Sequence, residues 1–126
     1  MAGLRGPGRQ RELINTTASI TLVAADAGKT FANVGAGGAV TFTLPAAANC
    51  NVGDDFVFLS CAAQDFAVAA ANAGELITFN DVAANSVTLS TASEKAGGGF
   101  IVTCVSSSKF HVATMTEETQ TVTVAT

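Results

Sequence analysis

Residues 40–44 read Val-Thr-Phe-Thr-Leu, and this stretch decides the fold class. Apolar side chains alternate with threonines, so a period of two residues places Val40, Phe42 and Leu44 on one face and both threonines on the other. Pro45 follows and ends the segment, because proline has no backbone N–H to give to a neighbouring strand. The stretch therefore predicts a β-strand with one buried and one solvated face.

Segments of the same character recur along the chain, separated by clusters of Gly, Asn, Asp and Ser, which is the pattern of an all-β protein. The alanine runs at 46–48 and 67–71 do not change this interpretation, because turn residues close each run early, and we expect at most one short helical turn after Pro45. The predicted strands cover residues 18–23, 30–34, 39–44, 55–61, 66–70, 76–79, 86–90, 100–105, 109–115 and 119–125. We predict an all-β fold, either an antiparallel β-sandwich or a jelly-roll-like β-barrel, with an extended N-terminal arm.

Two segments are apolar on both faces of a strand: Phe-Val-Phe-Leu at 56–59 and Phe-Ile-Val at 100–102. This pattern is typical of central strands covered by a second sheet, an arm or a neighbouring subunit. The tail, in contrast, alternates again and would form an exposed edge unless another strand pairs with it. The candidate residues for such pairing are Thr121, Val122, Thr123 and Val124.

Composition and charge limit the classes of function. The chain has 126 residues, of which 48% are hydrophobic and 13% charged, and its net charge is −4. This is enough for one domain, and no apolar run is long enough for a membrane span or a signal peptide. An acidic body argues against nucleic acid as a partner, because phosphate binding needs clustered Lys and Arg. We therefore expect a protein made in a cytoplasm, with neither a membrane nor a nucleic acid as its partner.

The charge is unevenly distributed along the chain. Three arginines against one glutamate give the first twelve residues a net charge of +2, and three lysines against nine acidic residues leave −6 for the remainder. We divide the chain into a basic arm at 1–15 and a single β domain at 16–126. The arm is either a disordered, solubilising terminus or a segment that lies on an acidic partner. In the second interpretation the contact residues are Leu4, Arg5, Arg9, Arg11, Leu13 and Ile14.

The chain offers little catalytic or metal-binding chemistry. Its cysteines have no C-x-x-C spacing and are expected to be free thiols: Cys50, Cys61 and Cys104. His111 lies opposite Phe110 and Val112 in an alternating segment, so we expect it to face outward, and no nucleophile elbow accompanies it. The glycines at 35–38 lie between two predicted strands, which favours a turn over a phosphate-binding loop. We expect no enzyme activity, no metal and no cofactor.

A longer pattern carries a resemblance. Residues 22–31 read Leu-Val-Ala-Ala-Asp-Ala-Gly-Lys-Thr-Phe, and residues 38–47 read Gly-Ala-Val-Thr-Phe-Thr-Leu-Pro-Ala-Ala. Together with Val52-Gly53 and the segments at 55–59, 101–105 and 109–112, they cover most of residues 18–113. The pattern resembles the capsid decoration, or cement, proteins of tailed bacteriophages. Within it, Asp26 suits a turn by capping the backbone and Gly28 by adopting a positive φ.

The resemblance implies a function as well as a fold. It implies a β-sandwich or β-barrel subunit, commonly a trimer, on the outer surface of the virion capsid, where it binds the major capsid protein and stabilises the shell by bridging capsomers. The protein would be synthesised in the cytoplasm of the host bacterium. It implies neither catalysis nor a cofactor.

Two other functions compete with this one. A phage tail or fibre module that binds host-surface carbohydrate would share the β pattern, although the chain has no Trp or Tyr for stacking on sugars. Exposure of Phe66 or Phe110 would favour that alternative. A small enzyme is the third possibility, and the residues available for catalysis argue against it.

Overall fold

The computed structural model describes residues 11–126, and these are mostly β-structure with two three-residue 3-10 turns, Ala24–Asp26 and Ala47–Asn49. The all-β class is confirmed, and each of the ten predicted strands overlaps an observed one. The strands are β1 Leu13–Asn15, β2 Ile20–Thr21, β3 Thr30–Ala32, β4 Val40–Thr43, β5 Asp55–Leu59, β6 Phe66–Ala69, β7 Leu76–Thr78, β8 Asp81–Ala84, β9 Ser86–Leu89, β10 Gly99–Ser106, β11 Lys109–Met115 and β12 Thr123–Ala125.

The strands form two sheets that pack against each other. One has seven strands in the order β1-β3-β5-β10-β11-β7-β8, and the other has five in the order β12-β9-β6-β4-β2. Successive strands from β1 to β7 alternate between the sheets. Next-but-one strands pair in parallel within each sheet, as in β1-β3-β5 and β2-β4-β6. The prediction of an antiparallel, jelly-roll-like arrangement is therefore wrong. Both sheets are mixed, because alternation within a strand does not reveal which sheet the next strand joins.

Phenylalanines fill the space between the sheets. Seven of the eight are at most 1% exposed: Phe31, Phe42, Phe56, Phe58, Phe66, Phe100 and Phe110. Phe42 of the five-stranded sheet meets Phe58 of the seven-stranded sheet with ring centroids 5.3 Å apart. Val40 and Phe42 are fully buried, and Thr41 and Thr43 are only partly so, as the alternation predicts. The inward rows of both sheets thus form one continuous core.

The N-terminal part differs from the prediction. Residues 1–10 lie outside the described part of the chain, but Leu13–Asn15 form an edge strand and not an extended arm. Hydrogen bonds extend the pairing on both sides, since the Thr30 N–H donates to the Glu12 carbonyl at 2.8 Å and the Thr16 N–H donates to the Ala32 carbonyl at 3.0 Å. Ile14 packs against the core. A strand of three residues is too short to show a recognisable alternation in the sequence. The position of β1 is set by its pairing with β3.

The hairpin of β7 and β8 also differs. The predicted strand at 76–79 ends at Thr78, and β8 was not predicted. Phe79 and Asn80 connect the two strands with φ values of 48° and 64°. Positive φ at both central residues of a two-residue loop matches the right-handed twist of a hairpin. Phenylalanine rarely adopts this conformation, so the sequence carries no turn signal at this position.

The turn within the resemblance has the expected geometry. Asp26 Oδ2 accepts a hydrogen bond from the Val23 N–H at 2.9 Å, and Gly28 has a φ of 86°. Lys29 Nζ lies 3.0 Å from Asp26 Oδ1. Burial, the largest influence, raises the pKa of Asp26, but the Val23 hydrogen bond and Lys29 together outweigh it, and the pKa lies below its ordinary value of 3.8.

The lowered pKa leads to a pH-dependent prediction for Asp26→Asn, which can keep the hydrogen bond but loses the charge. The charged form stabilises the folded state above the unfolded-state pKa, and this contribution is lost as the pH falls through the lower folded-state pKa. We expect the variant to be about 0.5 kcal/mol less stable than wild type at pH 7, with the difference vanishing in strong acid. Urea unfolding across this pH range measures it. A difference that stays constant with pH would contradict the assignment.

A glycine at the start of β10 gives a second prediction. A Cβ at Gly99 would overlap the carbonyl oxygen of Phe58 in the neighbouring strand and lie 3.0 Å from Met115 Cε. We expect Gly99→Ala to lower the free energy of unfolding by about 1–3 kcal/mol, because the backbone has to shift. Gly37→Ala is the matched control, since a Cβ there meets open space. Equal stability of the two variants in chemical denaturation would show that the contact is not tight.

Candidate partner-binding surfaces

Arg11 is the first of the predicted contact residues that the structure describes. Its guanidinium lies 3.1 Å from Asp55 Oδ1, donates to the Lys29 carbonyl at 2.7 Å, and donates through Nε to the Thr30 hydroxyl at 2.9 Å. These contacts link the segment before β1 to β3 and β5. Charge-assisted hydrogen bonds of this kind are stronger than neutral ones. Arg11 therefore acts within the chain as a tie for the N-terminal edge strand.

The other predicted arm contacts divide into three groups. Leu13 is 56% exposed and points to the outer side of the seven-stranded sheet, whereas Ile14 faces inward against the core. Arg11 and Leu13 are two residues apart and share the outer side. Three members of the predicted set lie outside the described residues: Leu4, Arg5 and Arg9.

The predicted C-terminal pairing segment ends in β12. This strand lies at one end of the five-stranded sheet and pairs antiparallel with β9, with Val124 opposite Val87. Val122 and Val124 pack against the core, and Thr121 and Thr123 are exposed. The segment therefore has an inward apolar side and an outward hydroxyl side, and the second edge of β12 pairs with no strand of residues 11–126.

The seven-stranded sheet carries aliphatic side chains on the side away from the core. Strand register places Leu13, Thr30, Val57, Ile101 and Ala113 in one row across the sheet, and Thr30 is a buried member that accepts a hydrogen bond from Arg11. Val57 and Ile101 are the outward residues of the two segments that the sequence marks as apolar on both faces. Both side chains remain partly exposed. We call this surface the outer apolar face, and it consists of Leu13, Val57, Leu59, Ile77, Ile101, Ala113 and Met115.

One margin of the outer apolar face is polar. Register joins Asp55, Thr103, His111 and Ile77 in a row, and the Arg11–Asp55 pair lies at the β5 end of it. His111 is exposed, as the alternation predicts. The charges of this margin are thus largely neutralised within the chain.

The outer side of the five-stranded sheet has a different chemistry. Its residues are small and either hydroxylated or methyl-bearing, and register arranges them in two rows. They are Thr21, Thr41, Thr43, Ala67, Ala69, Ser86, Thr88, Thr123 and Ala125. The hydroxyl groups can keep their hydrogen bonds to water. The two outer surfaces therefore differ in how much free energy they gain when a partner covers them.

An exposed aromatic side chain was missed by the sequence analysis. Phe66 and Phe110, whose exposure would favour carbohydrate binding, are fully buried, but Phe79 is 60% exposed and its neighbour Val82 is 68% exposed. Both belong to the β7–β8 hairpin at the end of the seven-stranded sheet. The sequence analysis missed this exposed ring because it assigned Phe79 to the end of a strand, whereas Phe79 lies in the turn between β7 and β8.

The thiols and acids do not gather into a reactive cluster in the described part of the chain. Within residues 11–126, no group of three His, Cys, Asp or Glu side chains could hold a metal ion. Burial raises the pKa of the Cys50 and Cys104 thiols, which disfavours the reactive thiolate. Cys61 is exposed, and all three cysteines are free.

No helix among residues 11–126 is long and apolar enough to cross a membrane. Comparison with known proteins adds no relative. No family model matches the chain, and no curated protein matches it.

The tie made by Arg11 leads to a prediction for Arg11→Gln. Loss of the Asp55 and Lys29 contacts should loosen β1 and lower the free energy of unfolding by about 1 kcal/mol. The amide of Thr30, which donates to the Glu12 carbonyl, should exchange with solvent deuterium faster than in wild type. Lys95→Gln is the control, because its ion pair with Asp65 lies away from β1. Unchanged exchange at Thr30 would contradict the proposed tie.

Proposed function

We propose that this chain is a non-enzymatic virion structural protein, a capsid decoration protein that binds the outer surface of an assembled phage shell. In this proposal the subunit is of the β-sandwich type and acts as a homo-oligomer, a trimer by the resemblance, that bridges copies of the major capsid protein. Its place is the outer capsid surface, after synthesis in the host cytoplasm.

The proposal rests on the resemblance over residues 18–113. The segments at 22–31, 38–47 and 55–59 overlap strands β3, β4 and β5, which alternate between the two sheets, and the segments at 101–105 and 109–112 lie in β10 and β11 of the seven-stranded sheet. Asp26 and Gly28 have the capping and positive-φ geometry that their residue types suit. The resemblance therefore concerns residues that shape the fold.

The surfaces support a protein partner over a small substrate. The outer apolar face and the edge of β12 are extended surfaces, and each suits another polypeptide by sheet stacking or strand addition. A depression lined by Ala63, Ser93 and Lys95 offers little chemistry, since the Lys95 ammonium is paired with Asp65 at 2.8 Å. Wide, chemically simple surfaces suit adhesion.

Bridging stabilises a shell by mass action. A protein that binds only the assembled state adds its binding free energy at each site, and identical sites multiply the effect. The described residues carry four basic and ten acidic side chains, so they repel an acidic shell surface overall. Arg5 and Arg9 are the basic members of the predicted contact set beyond Arg11, and we propose that they contact the acidic partner.

The experiment is co-sedimentation of the full-length protein with undecorated shells of the same virus. We expect saturable binding of wild type, and binding about tenfold weaker for the double variant Arg5→Gln/Arg9→Gln, because each lost charge contact costs up to about 1 kcal/mol. Added salt should weaken the binding of wild type more than that of the variant. Lys95→Gln is the control for loss of a positive charge elsewhere.

Absence of binding by wild type to purified shells would refute the decoration function. The exposed ring of Phe79 favours the second candidate in that case, a tail or fibre module that stacks on carbohydrate. Glycan binding by wild type that is lost in Phe79→Ser, with the fold intact, would identify that function instead. Shell binding that survives Phe79→Ser would be consistent with decoration.

A further inference from the structure

Two of the three free thiols lie at the same end of the sandwich. Cys50 follows the 3-10 turn Ala47–Asn49, and its N–H donates to the Ala47 carbonyl oxygen at 3.1 Å. Cys104 lies in β10, and its sulfur is 3.9 Å from that same oxygen. A single carbonyl group therefore contacts both cysteines, although they are far apart in the sequence.

Strand pairing fixes the position of Cys104 relative to the turn that follows Cys50. The Cys104 N–H donates to the Asp54 carbonyl, and the Gly53 N–H donates to the Cys104 carbonyl, both at 2.8 Å. Gly53 has a φ of 98°, and the Asp54 N–H closes the turn by donating to the Asn51 carbonyl at 2.9 Å. The connection from Cys50 to β5 is thus held against β10 at Cys104.

Both cysteines pack with the same core. Cys104 is 1% exposed, and Cys50 is partly buried. The shared Ala47 contact keeps the Cys104 sulfur within about 7 Å of the Cys50 nitrogen, which is compatible with a disulfide, whose Cα atoms lie roughly 4.4–6.8 Å apart. Burial raises the pKa of the Cys50 thiol most, and the Cys104 thiol raises it further. An electrostatic influence between two thiols requires a short distance.

The third cysteine lies at the opposite end of the seven-stranded sheet. Cys61 follows the end of β5, whereas Cys104 pairs with the residues that precede its start. A strand rises by about 3.3 Å per residue, so roughly 20 Å separates Cys61 from Cys104. At that end the Cys61 N–H donates to Asn33 Oδ1 at 2.6 Å. Cys61 is therefore too far from Cys104 to form a disulfide with it in the folded chain.

We propose that Cys50 and Cys104 form an intramolecular disulfide when the protein meets a small-molecule disulfide such as oxidised glutathione. The more accessible Cys50 thiolate attacks one sulfur of the oxidant and displaces the other as a thiol. The Cys104 thiolate then attacks the Cys50 sulfur and releases the second thiol. The protein loses two protons and two electrons as its S–S bond forms, and the oxidant is reduced to two thiols as its own S–S bond breaks.

The disulfide ties the connection before β5 to β10, the central strand of the seven-stranded sheet. Closing a long loop restricts the unfolded chain and so stabilises the folded one. Burial of both thiols slows the exchange, but the reduction potential of the pair sets its equilibrium. Under the proposed function, the thiols stay reduced in the host cytoplasm and meet an oxidising medium once the virion is released. The chemistry itself requires only the isolated chain.

The test is incubation of folded, full-length Cys61→Ser with oxidised glutathione at mildly alkaline pH, followed by alkylation and mass spectrometry. This variant lacks the exposed thiol that would add glutathione by itself. We expect a mass lower by two hydrogens than that of the reduced protein, no alkylation, and a peptide pair that joins Cys50 to Cys104. The melting temperature should rise by about 10 °C on oxidation.

Cys50→Ser/Cys61→Ser is the matched control, because it changes only partly or fully exposed cysteines and should keep a native circular dichroism spectrum. Oxidant should leave its melting temperature unchanged. Thiols that stay open to alkylation, glutathione that remains on Cys50, or a disulfide that forms only in urea would each overturn the proposal. Shell binding is measured with reduced protein, so failure of the disulfide and failure of the decoration function give different results.

Discussion

The rest of the structure depends on the layer of phenylalanines between the two sheets. Phe31, Phe42 and Phe58 meet with ring centroids 5.3–5.8 Å apart, and Phe66 and Phe100 continue the layer. The chain has no Trp or Tyr, so these rings supply most of the large buried side chains. A shift of one residue in the pairing of two phenylalanine-bearing strands, such as β5 with β10 or β4 with β6, would turn a ring outward, so the layer fixes the register of those strands.

Fixing the inward rows also determines the outward ones. The strands that carry Phe58 and Phe100 inward hold Val57 and Ile101 outward, whereas the strand that carries Phe42 inward holds threonines outward. The alternation of β1 to β7 between the sheets keeps these two types of strand apart. One sheet thus acquires an aliphatic outer face and the other a hydroxylated one, and this asymmetry gives the molecule one side suited to apolar contact.

The local sequence pattern predicted those features of the fold that depend on neighbouring residues. The inward direction of Phe42, the outward direction of His111 and the capping by Asp26 each follow from neighbouring residues in the sequence, and each is found in the structure. Pairing between distant residues could not be predicted in this way. Arg11 reaches Asp55, 44 residues further along the chain, and nothing near Arg11 in the sequence signals that partner. The parallel ladders were missed for the same reason, because they depend on which sheet each strand enters.

The architecture also limits how strong any single contact can be. The outer side of a sheet is an extended surface, whereas the anchoring side chains that carry most of the binding energy in tight protein complexes fill pockets. Each contact is therefore weak when considered alone. In the proposed decoration function, a shell would present many equivalent sites, and a subunit held by two contacts at once would bind far more tightly than either contact allows, because the second forms at high effective concentration. An oligomer of this chain would gain strength in this way without any change in its own surface.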